Sequence, residues 1–412
     1  MNRRLTPGVL ALWSAFVLVH VLTAALGWVY PSQPMGDVVL VYEPWASSAL
    51  GGGSIVGVTE TWVYPQLALV PMLAAAGLAA PLVPLLGVSS AYLVGWAVLV
   101  VVLDGIAFAV LVGRSPSRAR RAAGWFWCAA LLLLGPIALY RIDAITVPIA
   151  VIGGLWLVSR PTIAAALLTI GAWIKIWPGA LVVAALVAAR ARLRMLFGAV
   201  VVTAAVAVVL LLLGADTEIF GFLTEQTGRG LQIEAVAATP FLWLAVAGAA
   251  RIEYSFEILT FQITAPGVDA VAAALTPVMA IAVVVITGIG AVKAVRGAAF
   301  VWLFPPLALT LVVTLIVTNK VGSPQFQTWL LAPLILWIVL DRTRARVPAV
   351  IVLALCLLTC LVYPLGYDAL LRADALAVAV LTVRNLLLLV LLVLGIRALV
   401  RVPAIRPSKP QE

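Results

Sequence analysis

Residues 8–28 read GVLALWSAFVLVHVLTAALGW, and this stretch decides the fold. Its one titratable group is His20. An α-helix rises about 1.5 Å per residue, so a run of this length covers about 30 Å, the thickness of a bilayer's hydrocarbon layer. Runs of roughly 17 to 25 apolar residues recur along the chain, with Gly and Pro inside them, as membrane helices tolerate. Composition agrees: of 412 residues, 65% are hydrophobic and 10% charged, and the mean hydropathy is +1.19. A water-soluble domain does not carry that much apolar surface. The lack of period-2 alternation excludes a β-barrel. Although residues 8–28 follow Arg3 and Arg4, the run is long and lacks a small-residue cleavage site, so a retained first span is expected.

Charge placement sets the expected topology, because short cytoplasmic loops keep Lys and Arg. Twelve spans are expected, near 8–28, 90–113, 122–140, 143–159, 161–177, 178–191, 194–214, 268–290, 298–318, 326–341, 347–364 and 375–400, with both termini cytoplasmic. The inner side then collects 19 of the 26 basic residues, including Arg3, Arg4, Arg406 and Lys409, beside Asp341 and Glu412 alone. Counting 65–86 as a further span would put the basic cluster at 114–121 outside. That Pro-broken stretch therefore reads as a juxtamembrane or re-entrant helix. The chain is expected to be one integral membrane domain, 1–412, with a first outer loop at 29–89 and a second at 215–267 that holds an amphipathic or interfacial helix near 241–250. The fold class is all-α, a polytopic membrane helical bundle. The net charge of +10 is scattered over helix ends, which fits a membrane surface and not a nucleic acid.

The first outer loop carries the polar groups. Asp37, just above the membrane, has the place and chemistry of a general base toward a hydroxyl, or of a solvated cap. Glu43 and Glu60 are further carboxylates of that loop. Arg141 and Asp143, Lys175, and Lys320 followed by Gln325 lie at outer helix ends. Cations there run against the positive-inside bias, and an anionic headgroup such as a phosphate would account for them, as would snorkelling. His20 reads as a packed core residue, and Asp104 as a functional acid or a polar contact between helices. Cys128, Cys356 and Cys360 have no paired spacing and read as packing residues. No metal site and no cofactor are expected, and the chain has no nucleotide-binding phosphate loop.

Together, Gly36-Asp37 with Tyr42, Tyr64-Pro65-Gln66-Leu67, Lys175-Ile176-Trp177-Pro178 and the run from Lys320 through Ser323-Pro324-Gln325-Phe326 to Trp329 resemble glycosyltransferase family 87. The resemblance covers residues 8–340. It implies a GT-C type bundle that transfers a sugar, by the family's mannosyltransferases a mannose, from a polyprenyl-phosphate donor to a glycolipid or cell-envelope glycan at the outer face of the plasma membrane, with inversion. By that resemblance Asp37 is the catalytic base. Lys175 is the donor-phosphate cation, with Lys320 and Arg141 as companions, and Tyr42, Glu43, Tyr64, Asp143 and Gln325 are substrate contacts. The chain departs at Gln66, where the family usually has Pro, and at Tyr140-Arg141-Ile142-Asp143, where it has Gly-Gln-x-Asn. A polyprenyl phosphate leaves readily once a cation neutralises it, so one base suffices. Two other readings remain open: a transporter or lipid flippase working through Asp104 and His20, and a catalytically silent relative in envelope assembly.

Overall fold

The computed structural model describes residues 6–224, 229–255 and 260–403. Arg3, Arg4, Arg406, Lys409 and Glu412 lie outside them. Among the described residues, 77% are helical. Its helices are α1 (Pro7–Val29), α2 (Glu43–Leu50), α3 (Gln66–Leu86), α4 (Val88–Val112), α5 (Arg118–Ala138), α6 (Ile142–Trp156), α7 (Pro161–Ile174), α8 (Pro178–Ala188), α9 (Arg192–Leu212), α10 (Val236–Val246), α11 (Val268–Val295), α12 (Phe300–Val317), α13 (Pro324–Leu340), α14 (Arg342–Leu365) and α15 (Ala375–Val400). Strands β1 (Arg251–Ser255) and β2 (Thr260–Thr264) form an antiparallel hairpin in the second large loop, pairing Glu253 with Gln262. The helical content is consistent with the all-α reading, and this short hairpin lies in a loop outside the spans.

Among the described residues, nine helices are long and apolar enough to cross a membrane, which makes this a multi-pass membrane protein. The twelve expected segments all fall on helices, but α6, α7, α8 and α13 are shorter apolar helices. At about 16 to 22 Å, α6 to α8 do not cover a hydrocarbon layer alone. Pro161 and Pro178 restart the chain after short links and set those lengths. The ninth long helix is α3, whose length and hydropathy meet the requirement for crossing, where 65–86 is expected to be a juxtamembrane or re-entrant helix. It packs on the first part of α4: the Tyr92 hydroxyl donates to the Met72 carbonyl, and Gly95 lets the Ala75 carbonyl approach so closely that a Cβ would lie 2.5 Å from it.

The core forms around α12, the most buried of the long helices, with α5, α6, α8 and α13 beside it. Peripheral helices α9 and α11 turn Val208, Val209, Ile281 and Val284 outward, as helices facing lipid do. The two ends of the bundle differ. At one, Arg120 donates to the carbonyls of Val110 and Leu111, Lys293 to that of Val402, and the Arg344 guanidinium lies over the Trp302 ring. Arginine and lysine there cap helix C-termini, where the dipole favours cations. The opposite end carries the long loops, with Asp37, Glu43 and Asp143 among its carboxylates. Within the bundle, His20 Nε2 meets Asp104 Oδ2 at 3.1 Å and its Nδ1 lies 2.8 Å from the Phe16 carbonyl, so this pair joins α1 to α4.

Candidate functional site

The corner at the loop-bearing end is built from the turn after α1. Ser32 and Gln33 adopt left-handed backbone, φ 58° and 49°, which costs non-glycine residues about 1–3 kcal/mol in the tightest cases. Tyr363, from the far end of α14, holds that turn: its hydroxyl donates to the carbonyls of Ser32, at 3.1 Å, and Gln33, at 3.3 Å. Arg141 completes the clamp, with Nη1 donating to the Pro34 and Tyr140 carbonyls and Nη2 to the Tyr363 hydroxyl at 3.0 Å. Its Nε then faces Asp37 Oδ2 at 3.4 Å.

Asp37 is thus fixed on one side and open on the other: its side chain keeps 37% of its exposure while Arg141 keeps 4%. Burial works against the Arg141 charge, but Asp37, then Tyr363 and Tyr42, raise its pKa above the ordinary arginine value. Nη1 and Nη2 of this guanidinium are engaged by the protein, and its Nε is turned toward Asp37. It does not pair with Asp143: Asp143, fully buried in the first turn of α6, accepts from Trp329 Nε1, and its other oxygen, Oδ2, has no hydrogen-bond partner among the described residues.

A second chain of contacts leads to Lys175. Tyr42 is fully buried against Trp96, and its hydroxyl accepts from the Ile142 amide at 3.2 Å. Tyr42 also interacts with the Tyr64 hydroxyl, and Lys175 Nζ sits 4.2 Å above the Tyr64 ring, a cation–π contact. Lys175 follows α7 in extended backbone, which turns it out of the helix. Burial lowers its pKa, and the Asp143 and Asp37 carboxylates oppose that shift. Burial raises the pKa of Tyr64, with Asp37 and Asp143 adding to the effect, so it stays a neutral phenol. Arg229, of the second loop, is an electrostatic neighbour of Tyr64, Lys175 and Lys320.

The remaining sequence candidates are spread around this corner. Lys320 is buried; its carbonyl accepts from the Gln232 amide, and Gly322 N donates to Gln232 Oε1. Burial lowers the Lys320 pKa, and Arg229 adds to this. Gln325 is buried in the turn that opens α13, where its carbonyl accepts from Thr328. Glu43 starts α2 and accepts from Ser89 Oγ, tying α2 to α4. Gln66 donates to the carbonyls of Glu218 and Ile219, which fastens the first loop to the second. Beside Gln66 lies an apolar cleft of about 420 Å³ lined by Leu50, Val58, Leu67, Val70, Val206 and Leu210.

Arg229, Tyr363 and Trp329 were not among the sequence candidates, and neither was the Glu234–Arg384 pair. Arg229 and Arg384 had one signal, being basic residues on the side that the positive-inside bias empties. Arg384 lies within α15, not at its end. It is fully engaged there, with Nη1 on Glu234 Oε2 and Nη2 on the Glu234 carbonyl, both at 2.7 Å. Asn385 donates to Thr239 Oγ1, so the loop from Leu231 to α10 is bolted to α15 and to the Lys320 turn. Compared with protein-family models, curated proteins and solved structures, the chain gives no match in any of the three.

Proposed function

We propose that this protein is an inverting glycosyltransferase, of the kind found in glycosyltransferase family 87, that uses a polyprenyl-phosphate sugar. The observation that carries the reading is the single corner in which a half-open carboxylate, Asp37, is locked by Arg141 while Lys175 lies over Tyr64 within its electrostatic reach. Lys175, with Arg229 and Lys320 nearby, binds the donor phosphate. Asp37 takes the proton of the acceptor hydroxyl as its oxygen attacks the anomeric carbon. The bond from that carbon to the phosphate oxygen breaks, and polyprenyl phosphate leaves with the electron pair. The apolar cleft beside Gln66 accommodates the prenyl chain, and the loops joined through Gln66 limit water, the competing nucleophile. Mannose is the first donor sugar to test, and the acceptor is a glycolipid or envelope glycan at the outer face of the plasma membrane.

The test is donor screening in membranes from an expressing strain, with radiolabelled polyprenyl-phosphate mannose, glucose and arabinose and analysis of the lipid product. Transfer that disappears in Asp37→Asn supports the reading. Undiminished transfer in that variant refutes the base assignment, and no transfer from any donor refutes the activity.

A further inference from the structure

At the basic end, far from the corner just described, two adjoining cavities of about 320 and 340 Å³ share Ala188, Ala189, Arg190, Gly297 and Ala298. One is lined in addition by Arg192; the other continues onto Leu157, Val158 and Phe300. The cleft therefore has an arginine-bearing mouth and an apolar floor. Two long helices begin at it, α9 at Arg192 and α12 at Phe300. Neither carries a side-chain cap or an acidic residue in its first turn, so their amide groups and positive dipole ends are unopposed. Arg192 folds back onto the carbonyls of Ala189 and Val187 at the end of α8, while Arg190 is exposed. Among the described residues no acid lines the cleft, and Asp341, the acid at this end, is taken by Arg344 at 3.2 Å.

We infer that this cleft is a binding site for an anionic phospholipid, with the headgroup phosphate at Arg190 and the start of α9 and an acyl chain along Leu157, Val158 and Phe300. The chemistry read is a phosphate anion joined to an apolar tail. A bare phosphate would use the mouth and leave the floor unoccupied. A single lipid there bridges the ends of α6, α8 and α11 to the starts of α9 and α12, and so stiffens α6, the helix that also carries Asp143.

The full chain, purified in an uncharged detergent and freed of lipid, is heated with phosphatidylglycerol, with phosphatidylcholine or with inorganic phosphate, and unfolding is followed by tryptophan fluorescence. Phosphatidylglycerol at about 100 times its Kd raises Tm by about 3 °C, and the other two leave it unchanged. Arg190→Glu removes the rise without lowering the lipid-free Tm, while Arg118→Glu, an equal charge change at an exposed position of the same end, retains it. An equal rise with phosphatidylcholine, a full rise with inorganic phosphate, or an equal loss in Arg118→Glu overturns the inference. The readout involves no sugar transfer, so it stands or falls apart from the proposed activity.

Discussion

Arg141 Nε stands 3.4 Å from Asp37 Oδ2, with the rest of its guanidinium spent on the Pro34 and Tyr140 carbonyls and the Tyr363 hydroxyl. Residues a hundred positions apart thus fix one carboxylate while leaving its outward side open. If Asp37 is the base, its replacement by Asn keeps the packing and removes the proton acceptor. Transfer should fall by about 10²–10⁴-fold with expression and Tm retained, as measured by product radioactivity and thermal unfolding.

If Asp37 is the base, the pairing with Arg141 makes Arg141 the residue that places it. Arg141→Lys keeps the charge but loses the fork that reaches two carbonyls and a hydroxyl at once. The expected outcome is a loss of about 10–100-fold in kcat with KM for the donor little changed. A rise in KM alone would instead assign Arg141 to the donor phosphate.

If Lys175 holds the donor phosphate, it does so only while protonated. Its folded pKa is lowered by burial, so phosphate binding is complete below that pKa and is lost as pH rises through it, earlier than for an ordinary lysine near 10.4. The alkaline limb of donor KM should lie below that value, and Lys175→Arg should move the limb upward. An alkaline limb unchanged in that variant would exclude Lys175 from the donor site.

Glu234 and Arg384 are 1% and 2% exposed at their side chains and meet at 2.7 Å. Removing one partner leaves a buried uncompensated charge, so Arg384→Met should cost about 3–5 kcal/mol. Replacing both, Glu234→Leu with Arg384→Met, should recover part of that loss. A double-mutant cycle by denaturant unfolding checks this.

Gly322 lies under the Leu231–Ala238 segment so tightly that a Cβ would come within 2.1 Å of the Ala235 amide nitrogen. Backbone cannot yield there as a side chain can. Gly322→Ala should push the loop off the Lys320 turn, raising donor KM and lowering Tm, whereas Gly77→Ala, where a Cβ meets nothing within 4 Å, should leave both unchanged.

What the chain revealed by itself followed from local physics. A bilayer demands long apolar helices and sorts charges between their ends, and both requirements are visible in linear order, as in residues 8–28 and in the arginines of the 114–121 cluster. The approximate places of Asp37 and Lys175 at one end were legible for the same reason. Tertiary structure decided what those groups touch. Arg141, read beside Asp143, turns instead to Asp37 and Tyr363; Gln66 docks on the backbone of Glu218 and Ile219; Arg384 sits inside α15 because Glu234 reaches down to it. These partners lie from 104 to more than 200 residues apart in sequence, and side-chain direction at a helix end depends on packing that hydropathy does not encode. Length and charge are properties of a segment, whereas a pairing is a property of two segments brought together.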